Sequence, residues 1–258
     1  MLTAMSDSHI DPESTFAQSL PSDLLIGDDP AQQKLLREYG AVFVARAGVV
    51  PPNRVVFKDQ HDVGEFQSRL NIKGSEIGGH ELELQFVAMD ALLAAKAKAS
   101  AAGFSISPRG ADSARRDYDG TVELWKSRVE PALVHWVGNG RLTRDQAERI
   151  RSLGPYEQVP EVFALEEEGI YFAKDLSKSI IYSVAPPGAS QHLSMLAFDV
   201  AEFGVADVRR ILADHYWYQT VVSDMPHFTY LGVPASELND LGLRKVDHHS
   251  RDFWIPNL

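Results

Sequence analysis

The sequence predicts an α+β domain: a small, mainly antiparallel central sheet that carries its polar residues on one face, with helices packed on the other. Three observations lead there. Two long stretches, Leu82 to Ala97 and Tyr118 to Val129, repeat apolar residues at helical spacing. Short runs rich in β-branched and aromatic residues punctuate the rest, as in Ile170-Tyr-Phe-Ala173 and Met195 to Val200. Near the C-terminus, Trp217 to Val222 and His227 to Leu231 flank Ser223-Asp-Met-Pro226, which reads as an antiparallel hairpin.

A chain of 258 residues exceeds the roughly 100–150 residues of a common domain without reaching two of them. One domain over 34–258 is therefore expected behind an N-terminal arm, 1–33, which is rich in Ser, Asp and Pro without periodicity and reads as mobile. With 44% hydrophobic and 24% charged residues the composition is globular, and no apolar run reaches the about 18 residues that would span a bilayer. A net charge of −11 argues against nucleic acid, whose affinity comes from lysines and arginines replacing counterions. Cysteine is absent, so there is no disulfide or thiolate, and any metal must be held by His, Asp or Glu. Met1 to Leu20 contains Asp7, Asp11 and Glu13 and lacks a basic start and an apolar core, so it does not read as a secretory signal. The compartment stays open: cytoplasm as written, cell envelope if a leader is missing.

In chain order, Ala41-Val-Phe-Val-Ala45 reads as a strand stopped by Pro51-Pro52, and Val55-Val-Phe57 as a second short strand. His61 and Asp62 fall in a polar stretch and read as solvated loop. Leu82, Phe86, Met89, Leu93 and Ala97 mark one face of a helix that Gly103 ends. Phe104-Ser-Ile-Ser107 alternates like a half-buried strand and delivers Pro108-Arg109-Gly110. Asp112 is placed to cap a helix striped by Tyr118, Val122, Trp125 and Val129. Thr143-Arg-Asp-Gln146 is a capping-box pattern, and Gly154-Pro155 closes that helix. Pro160 opens another, ending near Gly169. Its Glu166-Glu167-Glu168 triplet points in several directions around a helix, so solvated surface is expected. Ile170 to Ala173 and Ser179 to Val184 read as strands. In the strand from Met195 to Val200, Ala197 and Asp199 share one face, with Leu196, Phe198 and Val200 on the other. Val208, Ile211, Leu212 and His215 stripe a further helix, on which His215 packs or caps. In the hairpin His227, Thr229 and Leu231 share a side opposite Phe228 and Tyr230. Pro234 and Gly242 bracket a short helix, and His248-His249 lies exposed in the tail.

The chemistry concentrates at Ala185 to Val200, where His192 and Asp199 bracket a turn-prone loop and its following strand. Imidazole and carboxylate are ordinary zinc ligands, and a catalytic zinc usually takes three protein ligands with one position open. His227 is the candidate third ligand, and Asp224, three residues before it, the candidate free base. The alternative is three unrelated polar residues in a strand-rich core. A His-Glu-x-x-His helix is absent.

The run Ser190-x-His192-(x)6-Asp199 followed by Asp224-x-x-His227 resembles the zinc D-alanyl-D-alanine carboxypeptidases and D,D-dipeptidases, over about Leu82 to Val246. Ser190, His192, Ala197, Asp199, His227, Phe228, Tyr230 and Gly232 match that family's residue types, and Pro187-Gly188 resembles its carboxypeptidase branch. Asp224 stands where the family usually has Glu, and Met195 where it usually has Gly. The resemblance implies a hedgehog/DD-peptidase-like fold and one zinc ion on His192, Asp199 and His227. It further implies hydrolysis of cell-wall peptides ending in D-Ala-D-Ala, with Asp224 as general base and Ser190 as a substrate contact. Arg109 takes the role of the family's transition-state arginine, with Ser-Pro-Arg-Gly in place of the family's Ser-Gly-Tyr-Arg-Ser; Arg115 and Arg116, read as its helical neighbours, are the alternatives to it. A zinc-dependent binding protein on the same fold and a wall endopeptidase are the competing readings.

Overall fold

A computed structural model describes residues 11–26 and 29–258. The described part of the expected arm is folded. Ser14 caps α1 (Thr15–Ser19), and Phe16 is completely buried against Leu238 and Leu243. Asp29 caps α2 (Pro30–Tyr39) with proline at its start, a preorganised helix opening. Ser, Asp and Pro here are caps, which composition alone does not separate from disorder; residues 1–10 lie outside the described part.

The chain from Gly40 to Val44 is a 3-10 turn and not a strand, with all five residues buried. An unbroken apolar run carries no period, so strand and buried helical turn look alike in it. Val55 to Phe57 is likewise irregular, held by Val55 N–H donating to the Leu25 carbonyl and Phe57 N–H to that of Gly188. α3 (Gln60–Gln67) follows, capped by Asp59. His61 and Asp62 ride on it, and Asp62 pairs with Arg54.

β1 (Ile72–Ile77) and β2 (His80–Gln85) form a hairpin closed by Gly78-Gly79, both at positive φ, a turn signal that the helical reading of Leu82 overrode. Leu82 thus belongs to a strand. α4 (Phe86–Ala101) begins only at Phe86 and buries Ala88, Met89, Leu92, Ala95 and Ala99, and Gly103 ends it at φ 81°. α5 (Tyr118–Gly138) is capped by Asp117 and not Asp112, continues through Pro131, and buries the expected stripe. Phe104 to Ser107 is not a strand; Ser107 is held by Glu202, and a single bridge joins Pro108 to Val200.

α6 (Arg144–Ser152) carries the complete capping box. α7 (Gln158–Glu167) follows, and Glu166 on it is not surface: it is buried and accepts hydrogen bonds from Ser179 Oγ and from the Phe172 and Ile180 N–H groups. That carboxylate ties together two stretches that are not strands, Ile170 to Ala173 and Ser179 to Val184, the second with a 3-10 turn at Ile180–Tyr182.

The central sheet is β3 (Ala197–Asp199), β5 (His227–Tyr230) and β4 (Trp217–Gln219), antiparallel in the order β3-β5-β4. Phe198, Phe228, Trp217 and Tyr230 share its apolar face and belong to the main core. α8 (Ala206–Asp214) packs there against β4 and α4, and His215 at its end bonds the Ile211 carbonyl. A last hairpin, β6 (Leu243–Asp247) with β7 (Asp252–Pro256), carries His248 and His249 exposed at its turn. The fold is α+β with small antiparallel sheets and flanking helices. No helix among the described residues is long and apolar enough to cross a membrane.

Candidate metal centre

The polar face of the central sheet builds the site. Asp199 on β3 and His227 on β5 are direct cross-strand partners, a register that brings Cβ atoms within about 4.5–5.5 Å. Their side chains meet at His227 Nδ1 to Asp199 Oδ1, 3.3 Å. His192 comes from the preceding loop, on the 3-10 turn Gln191–Ser194, and places Nε2 3.4 Å from the same Asp199 oxygen. That loop is pinned at Gly188: its φ is 75°, and a Cβ there would lie 1.9 Å from the Phe57 carbonyl oxygen, so no other residue fits without moving the chain. Met195 closes the turn in the left-handed region at φ 59°, a conformation that costs a non-glycine residue about 1–2 kcal/mol.

The tautomers follow from the partners. His192 Nδ1 lies 2.8 Å from the Ala114 carbonyl, which only accepts, so Nδ1 carries the proton and Nε2 offers a lone pair. Gln191 Nε2 donates to the Tyr39 carbonyl at 2.8 Å, which aims its oxygen at His227 Nε2, 2.9 Å away. His227 therefore donates from Nε2, and its Nδ1 also offers a lone pair. Burial lowers the His192 pKa, with Arg116 adding to the effect and Asp199 opposing it. Two neutral imidazole lone pairs and a carboxylate thus converge, their ligand atoms all within 4.8 Å of one another. Acceptors facing acceptors at this distance repel unless a cation lies between them. Each imidazole also donates its other N–H to an oxygen, the arrangement that orients metal-bound histidines. The set fits one metal ion.

The trio lies in a cleft of about 320 Å³ whose lining includes Arg109, Arg116, Arg128, Ser190 and Asp224. The structure therefore brings all six sequence-predicted site residues to one cavity. Ser190 is buried, and its hydroxyl has no hydrogen-bond partner among the described residues. Asp224 is exposed and belongs to the turn before β5, where its carbonyl accepts from the His227 N–H at 3.1 Å. Arg109 N–H bonds the Asp199 carbonyl at 3.2 Å, tying its loop to the ligand strand. Arg115 turns away and pairs with Glu83, so it is no substitute for Arg109. Arg116 is the better placed neighbour: its side chain is 15% exposed, its nearest carboxylate, Asp112, is 3.4 Å away, and its Nε is buried without a partner. Gln191 and the Ala114 carbonyl escaped the sequence reading because orienting groups follow no spacing rule. Comparison with protein-family models, with curated proteins and with solved structures finds no match to this chain.

Proposed function

We propose that the chain is a zinc-dependent D-alanyl-D-alanine carboxypeptidase that hydrolyses the terminal peptide bond of cell-wall peptides. The observation that carries this reading is the convergence of two imidazole lone pairs and one carboxylate on a cleft that also holds a carboxylate outside the trio. A His₂-carboxylate set without cysteine suits zinc, which when bound polarises a carbonyl and acidifies water. The chain's residues supply the rest. Asp224 takes the proton of the attacking water and returns it to the leaving amine. Arg116 and Arg109, which line the same cleft, stabilise negative charge on the substrate, a contribution that in comparable sites is worth on the order of 10²–10³ in rate. Ser190 offers its free hydroxyl to the bound peptide. Met195 supports the resemblance in an unexpected way. It stands in the left-handed backbone that a glycine adopts without strain, and glycine is the residue that the resemblance expects there.

The decisive experiment concerns Asp224. Zinc-loaded wild type is expected to release D-alanine from peptides ending in D-Ala-D-Ala. Asp224→Asn should keep its zinc and lose nearly all activity. Asp224→Glu should gain nothing, because the hairpin turn through Pro226 is adapted to the shorter side chain. Wild type and Asp224→Asn equally inactive, with Asp224→Glu newly active, would establish instead a zinc-dependent binding protein. Cleavage of intact wall without release of D-alanine would establish an endopeptidase.

A further inference from the structure

We infer that the cleft carries a second anion subsite at Arg128, which selects elongated acidic peptides over the free dipeptide; this rests on the peptidase reading above. The chain carries a net charge of −11, and six arginines outside the cleft, Arg54, Arg69, Arg115, Arg149, Arg151 and Arg210, pair with Asp or Glu, while Arg46, Arg141 and Arg209 bond backbone carbonyls. Of the three that line the cleft, only Arg116 meets a carboxylate. Arg109 has no side-chain partner among the described residues, and Arg116 has the exposed Asp112 at 3.4 Å. Arg128 bonds two neutral hydroxyls, Ser183 Oγ at 3.0 Å from Nε and Ser127 Oγ at 2.8 Å from Nη1. Those bonds fix the guanidinium while leaving its charge uncompensated and Nη2 without a partner among the described residues. This is the state of a preorganised carboxylate receptor.

Arg116 and Arg128 mark separate positions. Arg116 donates its backbone N–H to the His192 carbonyl at 3.4 Å and its charge acts on His192, so it belongs to the metal end. Arg128 lies twelve residues after Arg116, and the ten of them from Tyr118 onward rise about 15 Å along α5 at 1.5 Å per residue. Leu124, one turn before Arg128, lines the same wall and supplies apolar contact between them. An extended peptide covers about 15 Å in four to five residues. A ligand with its C-terminal carboxylate near Arg116 therefore presents a second carboxylate to Arg128 from several residues upstream. Free D-Ala-D-Ala is too short to do so.

The test uses capped peptides ending in D-Ala-D-Ala that carry one glutamate, or one glutamine, two to five residues before the C-terminus. Dissociation constants are measured by calorimetry with the zinc-loaded protein in the Asp224→Asn background, so that the peptides stay intact. At one glutamate position the acid should bind about tenfold or more tightly than its amide. Arg128→Gln should bring that ratio close to one, and Arg128→Lys should retain part of it. Lys126→Gln, which removes an exposed charge from the same helix, should leave the ratio intact. Equal binding of acid and amide at every position, an acid preference that survives Arg128→Gln, or no binding of any peptide would overturn the subsite. The two readings fail separately. Acid preference through Arg128 without D-alanine release from wild type keeps the subsite and removes the peptidase, while equal turnover of both series with equal affinity does the reverse.

Discussion

Replacing Gln191 by leucine isolates the residue that sets the tautomer of His227. The side chain is 3% exposed and makes three bonds: it donates to the Tyr39 carbonyl and accepts from His227 Nε2 and Thr229 Oγ1. Leucine of similar size removes all three. Thr229 keeps Thr220 as a partner, and the Tyr39 carbonyl keeps the first N–H of the 3-10 turn that it opens, whereas the His227 N–H is left buried and unsatisfied. At about 1–3 kcal/mol for an orphaned buried group, stability should fall by about that amount. With nothing to hold the proton on Nε2, His227 no longer presents Nδ1 reliably, and losing such an orienting partner weakens metal binding about 10–100-fold. Gln191→Glu separates the two effects. It keeps an acceptor for His227 but sets a carboxylate oxygen against the Tyr39 carbonyl, so it should be destabilised while binding zinc more tightly than the leucine variant. Zinc affinity is read by competition with a chromophoric chelator and stability by urea unfolding of the metal-free proteins. Wild-type zinc affinity in Gln191→Leu, or an equal loss in Gln191→Glu, would refute the tautomer argument.

Purified protein should carry about one zinc per chain, the load of a three-ligand site, and the His192→Ala/His227→Ala double variant should carry almost none; equal contents by elemental analysis would remove the site. Met195 is fully buried at φ 59°, so Met195→Ala should lose about 2–5 kcal/mol of packing, and Met195→Gly less, because glycine also recovers about 1–2 kcal/mol of left-handed strain. Urea unfolding that ranks the glycine variant below the alanine variant would contradict the strain. Burial raises the Glu166 pKa above its ordinary 4.5 despite the hydrogen bonds that lower it, so its protonated form favours the fold. That contribution is complete below the unfolded value and is lost as pH rises through the folded one. The stability difference between wild type and Glu166→Gln should therefore shrink from acid to neutral pH, and a constant difference would show that the carboxyl titrates normally.

What was legible in the sequence depended on how far each interaction reaches. Asp199 and His227 could be placed because alternation along a strand assigns faces, and the hairpin reading put Asp224 and His227 on one turn. Capping signals worked for the same reason: Thr143 and Gln146 bond each other three residues apart. Glu166 failed because its partners lie on the next loop, and a triplet of acids gives no hint which one turns inward. Gln191 reaches Tyr39 across 152 residues, and Ala114 meets His192 through a backbone carbonyl, a group every residue possesses. The two kinds of failure share a cause. Ligand atoms are confined to a few residue types and so leave a trace in composition and order, whereas the groups that aim them need only an oxygen in the right place. Sequence therefore exposes which atoms could hold a metal, while the lone-pair directions, on which the case for a cation rests, emerge only after the distant carbonyls of Ala114 and Tyr39 are in position.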